Sequence, residues 1–434
     1  MRKWVSAFTL TSSVQWLFFI FANTIVVPLS VAQAFQVPSE TVTLMLSSSL
    51  IFTGLACMIQ GLFGHRYPLM EGHSGLLWGV MLNLGLSASA MGMSYTQIGG
   101  GLATGILLAG VVTILLVALN WIKYVQRIFT PMVMTVYLFL LTFQLIFVFF
   151  QGMLGITEQG VINIPVSILS LVLVVFVSIL KIKGSKMISN FSILIGIVVG
   201  WIIYAAVFPN EGEPVVMQGL SFALYPLGPP NLEYGIIAVA FFAGMLNLTN
   251  TVASIQAAAE LFKDTPNAGQ YRRSFFWTGF FSIIVSGFGL VPYTPFTSSI
   301  GFLESTQIYR KEPFLLAGGM LSLVGLIPPV TAFLITLPIS VGNAVLFVAY
   351  LQLFGTAFNS LRGERFTSNT IFRLAGPLLL GVSLMAISPA AFNGIPNLIQ
   401  PIISNGLIMG VVLSICLERF ISWEDIDQEM QKAS

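Results

Sequence analysis

The chain has 434 residues, of which 56% are hydrophobic and only 8% are charged, and its formal net charge is +2. Its mean hydropathy is +0.91. A soluble domain needs far more charge to cover its surface, so this composition excludes a soluble globular protein and predicts a multi-pass protein embedded in a lipid bilayer. The basic residues are spread over short loops instead of being clustered, so we expect no nucleic-acid partner.

Apolar segments of about twenty residues, the length that matches the hydrocarbon thickness of a bilayer, recur along the whole chain. We predict fourteen transmembrane spans, of which the third and the tenth are short or interrupted. The predicted spans are 13–34, 40–63, 72–92, 98–119, 130–150, 163–182, 187–208, 235–258, 274–291, 296–310, 314–334, 339–357, 372–391 and 398–416.

The loops on the two sides of this arrangement differ in charge. All 18 Lys and Arg residues fall on one side, in alternate loops or near the termini. The opposite loops carry no basic residue, and their acidic residues are Glu40, Glu158, Glu211, Glu213 and Glu233. By the positive-inside rule, this partition predicts that both termini lie in the cytoplasm.

Fourteen spans divide naturally into two sets of seven, and the two halves share weak similarities. Pro68 precedes Ser74 by six residues at the third span, and Pro292 precedes Ser298 by six residues at the tenth. An odd number of spans in each half would place the two copies in opposite orientations. This is the inverted repeat of many secondary transporters, whose binding site lies near the bilayer midplane.

Proline marks the interruption at both of these spans, at Pro68 just before the third and at Pro292 and Pro295 just before the tenth. Proline removes a backbone donor and disfavours helix at the preceding residue. Irregular backbone at membrane depth persists only where it is packed in protein or lines a cavity. Helices that begin near Ser74 and Ser298 would direct free amides at a ligand. The alternative is a pair of surface loops that flank short helices.

Glu71 and His73 lie in the interrupted third span. If this stretch dips toward the middle of the membrane, Glu71 is a candidate for carrying a coupling proton. The alternative is a cytoplasmic loop acid paired with Arg66. His73 is either a polar wall residue of the site or an ordinary interfacial histidine.

Asn247 and Asn250 lie near the centre of the eighth span, three residues apart and therefore on one face of a helix. Amides at that depth are costly unless they are paired. Hydrogen bonds between helices would satisfy them, but the interrupted tenth span favours a ligand. Gln15 and Asn23 are the corresponding polar residues of the first span.

Enzymatic chemistry has no support in this sequence. The chain has two His and two Cys residues, and no Ser/His/Asp, Cys/His or metal-ligand constellation. Cys57 and Cys416 both lie in apolar segments, which argues against a disulfide or a metal site. We therefore expect neither a catalytic residue nor a bound metal or cofactor.

Four stretches carry a resemblance to a known family. They are QWLFFIFAN from Gln15, GHSG from Gly72, RSFFWTG from Arg273 and PYTPFTSSIG from Pro292. With these stretches the chain resembles the nucleobase–ascorbate transporter family, which contains bacterial uracil, xanthine and uric-acid permeases. It is most similar to a purine-permease branch, over nearly its whole length.

The resemblance implies an all-α polytopic membrane protein with 14 transmembrane segments in a 7+7 inverted repeat and short antiparallel strands in spans 3 and 10. It implies a core domain of spans 1–4 (residues 1–120) and 8–11 (residues 232–335). A gate domain would contain residues 121–210 and 336–417, and a cytoplasmic tail would contain residues 418–434.

The resemblance also assigns residues to the substrate site. Asn23 falls where the first span of the family touches substrate, and Gly75 falls where the third span offers backbone to the base. Phe296 and Thr297 fall where the tenth span lines the pocket. The neighbouring Ser74 and His73 complete this part of the candidate site.

Three positions depart from the family pattern. Asn250 (or, with a shifted gap, Asn247) stands in place of the usual acid of the eighth span. Ser298 stands in place of the Glu of the tenth span, and Trp16 in place of a His in the first. Amides and hydroxyls can still recognise a base by donating and accepting hydrogen bonds. Proton coupling would need another group, for which Glu71 is the candidate.

We therefore expect a secondary active permease of the bacterial cytoplasmic membrane. Its substrate would be a nucleobase, a purine or oxopurine or uracil, carried by alternating access in symport with H⁺, or with Na⁺. The resemblance also implies a homodimer. The alternatives are an uncoupled facilitator or anion transporter of the same fold, or a membrane receptor that does not transport.

Overall fold

The structure is a computed structural model of the chain. It describes residues 6–121, 130–156, 161–209, 219, 221–361, 366–392, 394–396, 398–421 and 423. Some charged residues used above to orient the chain lie outside the described residues, and they are Arg2, Lys3, Lys123, Arg127, Glu158, Glu211, Glu213, Arg362, Arg365 and Lys432. Most of the predicted tail, residues 424–434, also lies outside them.

The first half of the chain is helical apart from one short strand. Several helices begin where a polar side chain accepts a backbone N–H of the first turn, as Ser94, Thr130 and Ser185 do. The elements are α1 (Ala7–Ala22), α2 (Val26–Ala34), α3 (Ser39–Leu62), β1 (Glu71–His73), α4 (Gly75–Leu86), α5 (Tyr95–Ala118), α6 (Pro131–Met153), α7 (Ile164–Lys183) and α8 (Lys186–Val207).

The second half has the same character, with a second short strand at a corresponding place. Its elements are α9 (Tyr234–Phe262), α10 (Ala268–Ser286), β2 (Tyr293–Pro295), α11 (Ser298–Thr306), α12 (Lys311–Gly325), α13 (Pro328–Leu334), α14 (Ile339–Tyr350), α15 (Gln352–Ser360), α16 (Ser368–Ala386), a 3₁₀ turn (Pro389–Phe392), α17 (Gln400–Ile403) and α18 (Gly406–Phe420).

The number of membrane-spanning helices does not confirm the predicted fourteen. Within the described residues, nine helices are long and apolar enough to cross a membrane, or ten if α12 and α13, which are bent by 89°, form one span. The difference arises partly where a predicted span contains only a short helix. The third contains α4, of 12 residues, and the tenth contains α11, of 9 residues.

The ninth predicted span, 274–291, differs from the helix that the structure contains. Helix α10 begins earlier, at Ala268, because Asn267 and Gln270 form a capping box at its start. It ends at Ser286, and Gly289 then adopts a positive φ of 63° as the chain turns back. A hydropathy pattern detects neither signal.

The helices pack in two groups. In the first group, α3 packs along α12, α1 also packs on α12, and α5 packs between α9 and α10. The α3–α12 contact is close, since a Cβ at Gly318 would lie 2.8 Å from the Gly54 carbonyl oxygen. In the second group, α6 packs against α14, α15, α16 and α18, and α7 against α8 and α14. This grouping favours the predicted core and gate domains, whose boundaries remain a prediction.

The two interrupted spans meet as a pair of antiparallel strands. Glu71 is opposite Pro295, Gly72 is opposite Thr294, and His73 is opposite Tyr293. The pairing extends at both ends, where the Phe296 N–H donates to the Met70 carbonyl (2.8 Å) and the Ser74 N–H to the Pro292 carbonyl (2.7 Å). The strands lie inside the first group, with the starts of α4 and α11 beside them.

Candidate functional site

One face of the strand pair carries a phenylalanine ring above a glycine. A Cβ at Gly72 would lie 2.6 Å from the Phe296 ring, so only glycine lets the ring lie this close to β1. Phe296 is half-buried. An aromatic ring held on a rigid backbone in this way offers a flat apolar surface on which another ring can stack.

The helix that follows Phe296 begins with two exposed hydroxyl groups. Helix α11 starts at Ser298, and Thr297 precedes it without a side-chain capping hydrogen bond. Both side chains are exposed. By contrast, Ser74 is buried and its hydroxyl accepts the Leu77 N–H at the start of α4 (3.5 Å). Of the predicted hydroxyl groups, those of Thr297 and Ser298 are therefore the accessible ones.

Asn250 reaches from the first group of helices to the second. Its Nδ2 donates to the hydroxyl oxygen of Tyr137 on α6 (3.2 Å). Gly75, at the start of α4, faces the second group as well, because a Cβ there would lie 3.5 Å from the Tyr350 ring of α14. Neither tyrosine was predicted from the sequence. Each is one of several polar residues in a largely apolar helix, so the sequence around it does not single it out.

Asn247 lies on the same helix as Asn250 but has a different partner. Its Nδ2 donates to the Tyr293 carbonyl (3.1 Å), and its side chain is buried. Further along α9, the Ser254 hydroxyl donates to the Pro295 carbonyl (2.7 Å). These two bonds attach strand β2 to α9. The Asn247 Oδ1 is buried and has no hydrogen-bond partner among the described residues. Contact of Asn247 with a substrate remains a prediction.

A small internal cavity lies beside Asn247. Its volume is about 10 Å³, near the lower limit for one water molecule. Leu77, Thr278, Ser282 and Pro292 also line it. It lies inside the first group and is too small for an organic ring.

Glu71 and His73 lie on the opposite face of β1 from Phe296. Successive side chains of a strand alternate between faces, so the side chains of residues 71 and 73 point away from the ring beside Gly72. The Glu71 carboxylate lies 3.1 Å from His65 Nε2, and both side chains are buried. Arg66 is exposed. The alternative of a loop carboxylate paired with Arg66 is therefore wrong, and the partner His65 was not predicted from the sequence.

His73 makes its hydrogen bonds on the face of the strand pair opposite Phe296. Its Nδ1 donates to the Val291 carbonyl (2.9 Å), and its Nε2 accepts from the Ser49 hydroxyl (2.8 Å). The side chain is buried inside the protein. Its contacts join α3 to the segment before β2.

Asn23, the residue of the first span that we predicted to contact substrate, lies at the end of a helix. Asn23 is the C-terminal capping residue of α1, and its Nδ2 donates to the Phe19 carbonyl (2.8 Å). Trp16, which stands in place of a family histidine, is fully buried against Phe302 and Phe314. Trp16 therefore packs α1 against α11 and α12, and contact of Asn23 with a substrate remains a prediction.

Phe296, Thr297 and Ser298 follow β2, and hydrogen bonds attach β2 to α9, the helix whose Asn250 bonds to Tyr137. None of these five side chains carries a formal charge. Within the described part of the chain, no group of three His, Cys, Asp or Glu residues could hold a metal ion. The arrangement suits a flat neutral molecule with hydrogen-bonding edges.

Comparison with known proteins identifies the family of the chain. The model of the Permease family named Xan_ur_permease matches residues 8–390. The chain is 31% identical over 423 residues to a Bacillus subtilis protein named "Putative purine permease YwdJ", covering 95% of each chain. It is 24% identical to the xanthine permease of the same organism, covering 98% of this chain and 97% of that one.

The fold also has solved counterparts. The transmembrane domain of the cyanobacterial bicarbonate transporter BicA superimposes with a TM-score of 0.61 at 16% identity, covering 95% of this chain and 97% of that chain. At this identity the likeness concerns the fold alone. The family and its relatives are permeases, so the prediction of a transporter and not an enzyme is confirmed. The chain is a multi-pass membrane protein that belongs to the xanthine and uracil permease family.

Proposed function

We propose that this permease carries a neutral nucleobase, a purine or oxopurine or uracil, across the bacterial cytoplasmic membrane by alternating access. The observation that carries the proposal is the Phe296 ring on Gly72, next to the exposed hydroxyls of Thr297 and Ser298. The names of the relatives, which include a purine and a xanthine permease, support the substrate class.

The ring of the base would stack on Phe296, since offset aromatic pairs are favourable. Its edge would meet Asn250, whose amide both donates and accepts hydrogen bonds. The hydroxyls of Thr297, Ser298 and Tyr137 add further donors and acceptors. Because these groups are neutral, the proposed substrate form is the uncharged base.

Alternating access would move the core domain (residues 1–120 and 232–335) against the gate domain (residues 121–210 and 336–417). We retain the fourteen-span inverted repeat, with both termini in the cytoplasm, as part of this proposal. Hydrogen bonds join the domains, from Asn250 to Tyr137, from the Gln144 Nε2 to the Gly79 carbonyl (2.7 Å) and from the Asn190 Nδ2 to the Ser305 hydroxyl. These bonds would break as the domains separate, and a bound base could replace the bond between Asn250 and Tyr137.

We further propose that transport is driven by an ion gradient, of H⁺ or of Na⁺, and that the protein acts as a homodimer. The ion determines only the direction and extent of accumulation. Exchange of a labelled base for an unlabelled one needs no net ion movement. The substrate and the coupling ion can therefore be tested separately.

The test is counterflow in proteoliposomes preloaded with one unlabelled base and supplied with labelled xanthine, hypoxanthine, guanine or uracil. We expect saturable exchange of at least one base, and loss of this exchange in Asn250→Leu, which keeps the volume but removes the hydrogen bonds. The matched control is Asn359→Leu, at an exposed position on α15, which should exchange as the wild type does.

Other outcomes would replace the proposal. Binding of a base without exchange would indicate a receptor. Exchange of bicarbonate or chloride but of no base would indicate an anion transporter. Exchange of a base without any gradient-driven accumulation would indicate a facilitator.

A further inference from the structure

A buried carboxylate lies behind the face that we propose for the base. Glu71 is 1% exposed and its partner His65 is 0% exposed. A carboxylate removed from water is costly unless it is paired and hydrogen-bonded, or neutralised by a proton. The proposed transport function assigns no role to this pair.

The hydrogen bonds around His65 define which of its nitrogens carries a proton. The Tyr67 backbone N–H donates to Nδ1 (3.1 Å), so Nδ1 is an acceptor and Nε2 holds the proton. Nε2 therefore donates to the Glu71 Oε1 (3.1 Å). The Gln270 Nε2 donates to the His65 carbonyl (3.1 Å) and holds the backbone in place. With His65 neutral, the pair has a charge of −1 when Glu71 is ionised and of zero when Glu71 is protonated.

No Lys or Arg side chain among the described residues lies within ion-pair distance of Glu71. On α3, the Cys57 Sγ lies 3.3 Å from the Glu71 backbone nitrogen. In the loop, the Tyr67 hydroxyl donates to Asp264 (2.7 Å). Burial and, to a smaller extent, this hydrogen bond raise the pKa of Tyr67 to about 12, so the Tyr67 hydroxyl stays protonated. Other charged groups at this end of the first helix group include Arg66, Glu260, Lys263, Arg272 and Arg273. Within the described residues, the ion-pair partner of Glu71 is His65, and neither Lys nor Arg bridges to it.

The strand pair connects this carboxylate to the proposed base site. Glu71 is opposite Pro295, the residue before Phe296. On the other side of Glu71, the Met70 carbonyl accepts the Phe296 N–H (2.8 Å) and the Met70 N–H donates to Ser299 in α11 (3.0 Å). A change of charge at Glu71 therefore acts on the same short strands that position Phe296 and the start of α11.

We propose that Glu71, oriented by His65, is the binding site of the coupling proton. The inference rests on the proposed nucleobase transport and specifies its coupling ion and residue. A proton from the external solution binds the Glu71 carboxylate, travels with one neutral base, and leaves to the cytoplasm. The net result of one cycle is the inward movement of one base and one positive charge.

The test compares counterflow with accumulation in wild-type, Glu71→Gln and Glu260→Gln proteoliposomes whose membrane potential is clamped at zero. A gradient of about two pH units supports up to about 100-fold accumulation for one proton per base, because one pH unit is a tenfold difference in proton activity. We expect the wild type to accumulate the base and Glu71→Gln to stop at equal concentrations while its counterflow persists. The control, at exposed Glu260, should accumulate the base as the wild type does.

A second measurement needs no variant. A pH-sensitive dye inside wild-type vesicles should report acidification when the base is added outside, in the absence of a pH gradient. Base uptake without proton entry, accumulation driven by Na⁺ alone, or full accumulation by Glu71→Gln would each overturn the inference while leaving nucleobase transport in place. Absence of counterflow for every base in the wild type would instead overturn the proposed function, and this inference with it.

Discussion

The two faces of one strand pair have different chemistry. Toward Phe296, strand β1 presents Gly72, a position without a side chain, and the nearby groups are neutral. Toward α3, the same strand presents Glu71 and His73, which are buried and hydrogen-bonded. Because side chains alternate along a strand, three residues are enough to separate a proposed base site from a proposed proton site.

The largest expected effect comes from filling the space above Gly72. A valine there would overlap the Phe296 ring, since the first carbon alone would lie 2.6 Å from it. We expect Gly72→Val to abolish counterflow of the base. A folded Gly72→Val protein with wild-type counterflow would remove Phe296 and Gly72 from the site.

Gly301 supplies the control for this change. It lies in α11, close to the proposed site in sequence, and a Cβ there would have no neighbour within 4 Å. Gly301→Val should therefore retain exchange. Both variants should be compared by size-exclusion profile and counterflow rate, so that misfolding is separated from loss of binding.

A smaller effect is expected on the other side of the site. Tyr137→Phe removes the hydroxyl that accepts from Asn250 and keeps the ring. The loss of one hydrogen bond is worth about 0.5–1.5 kcal/mol, so the apparent affinity for the base should fall by up to about tenfold. Competition of unlabelled against labelled base gives the affinity, and Tyr309→Phe, at an exposed tyrosine, is the control. An unchanged affinity would mean that Tyr137 does not meet the base.

The smallest effect on transport is expected from the bond that attaches the strands to α9. Ser254→Ala leaves the buried Pro295 carbonyl without its donor, at a cost of about 1–3 kcal/mol in stability. We expect a lower midpoint of thermal unfolding with exchange largely retained. Ser360→Ala, at the exposed end of α15, should leave the midpoint unchanged. Equal midpoints for the two variants would show that the Ser254 bond does not hold the strands.

Local chemistry explains what the sequence could predict. Pro68, Pro292 and Pro295 predicted that two spans are interrupted, and Ser74 and Ser298 correctly marked where the helices resume. Asn250 became a candidate because it is an amide near the centre of the eighth span, and Phe296 through the family resemblance. These signals all lie within a few residues of the feature that they specify.

The parts that were missed depend on distant contacts. Tyr137 meets Asn250 across 113 positions of the chain, and nothing near either residue indicates the other. Arg66 was the partner considered for Glu71, but its side chain is exposed. The partner in the structure is the neighbouring residue His65, whose side chain is buried. The span boundaries differed where capping at Asn267, and not hydropathy, begins the helix.

The most direct test of the account is an experimental structure with the base that counterflow identifies. We predict that its ring stacks on Phe296, that its edge bonds to Asn250, and that Glu71 remains on the opposite face of the strands in contact with His65. A base bound away from Phe296, or one whose edge bonds directly to Glu71, would contradict the separation of base and proton on which the account depends.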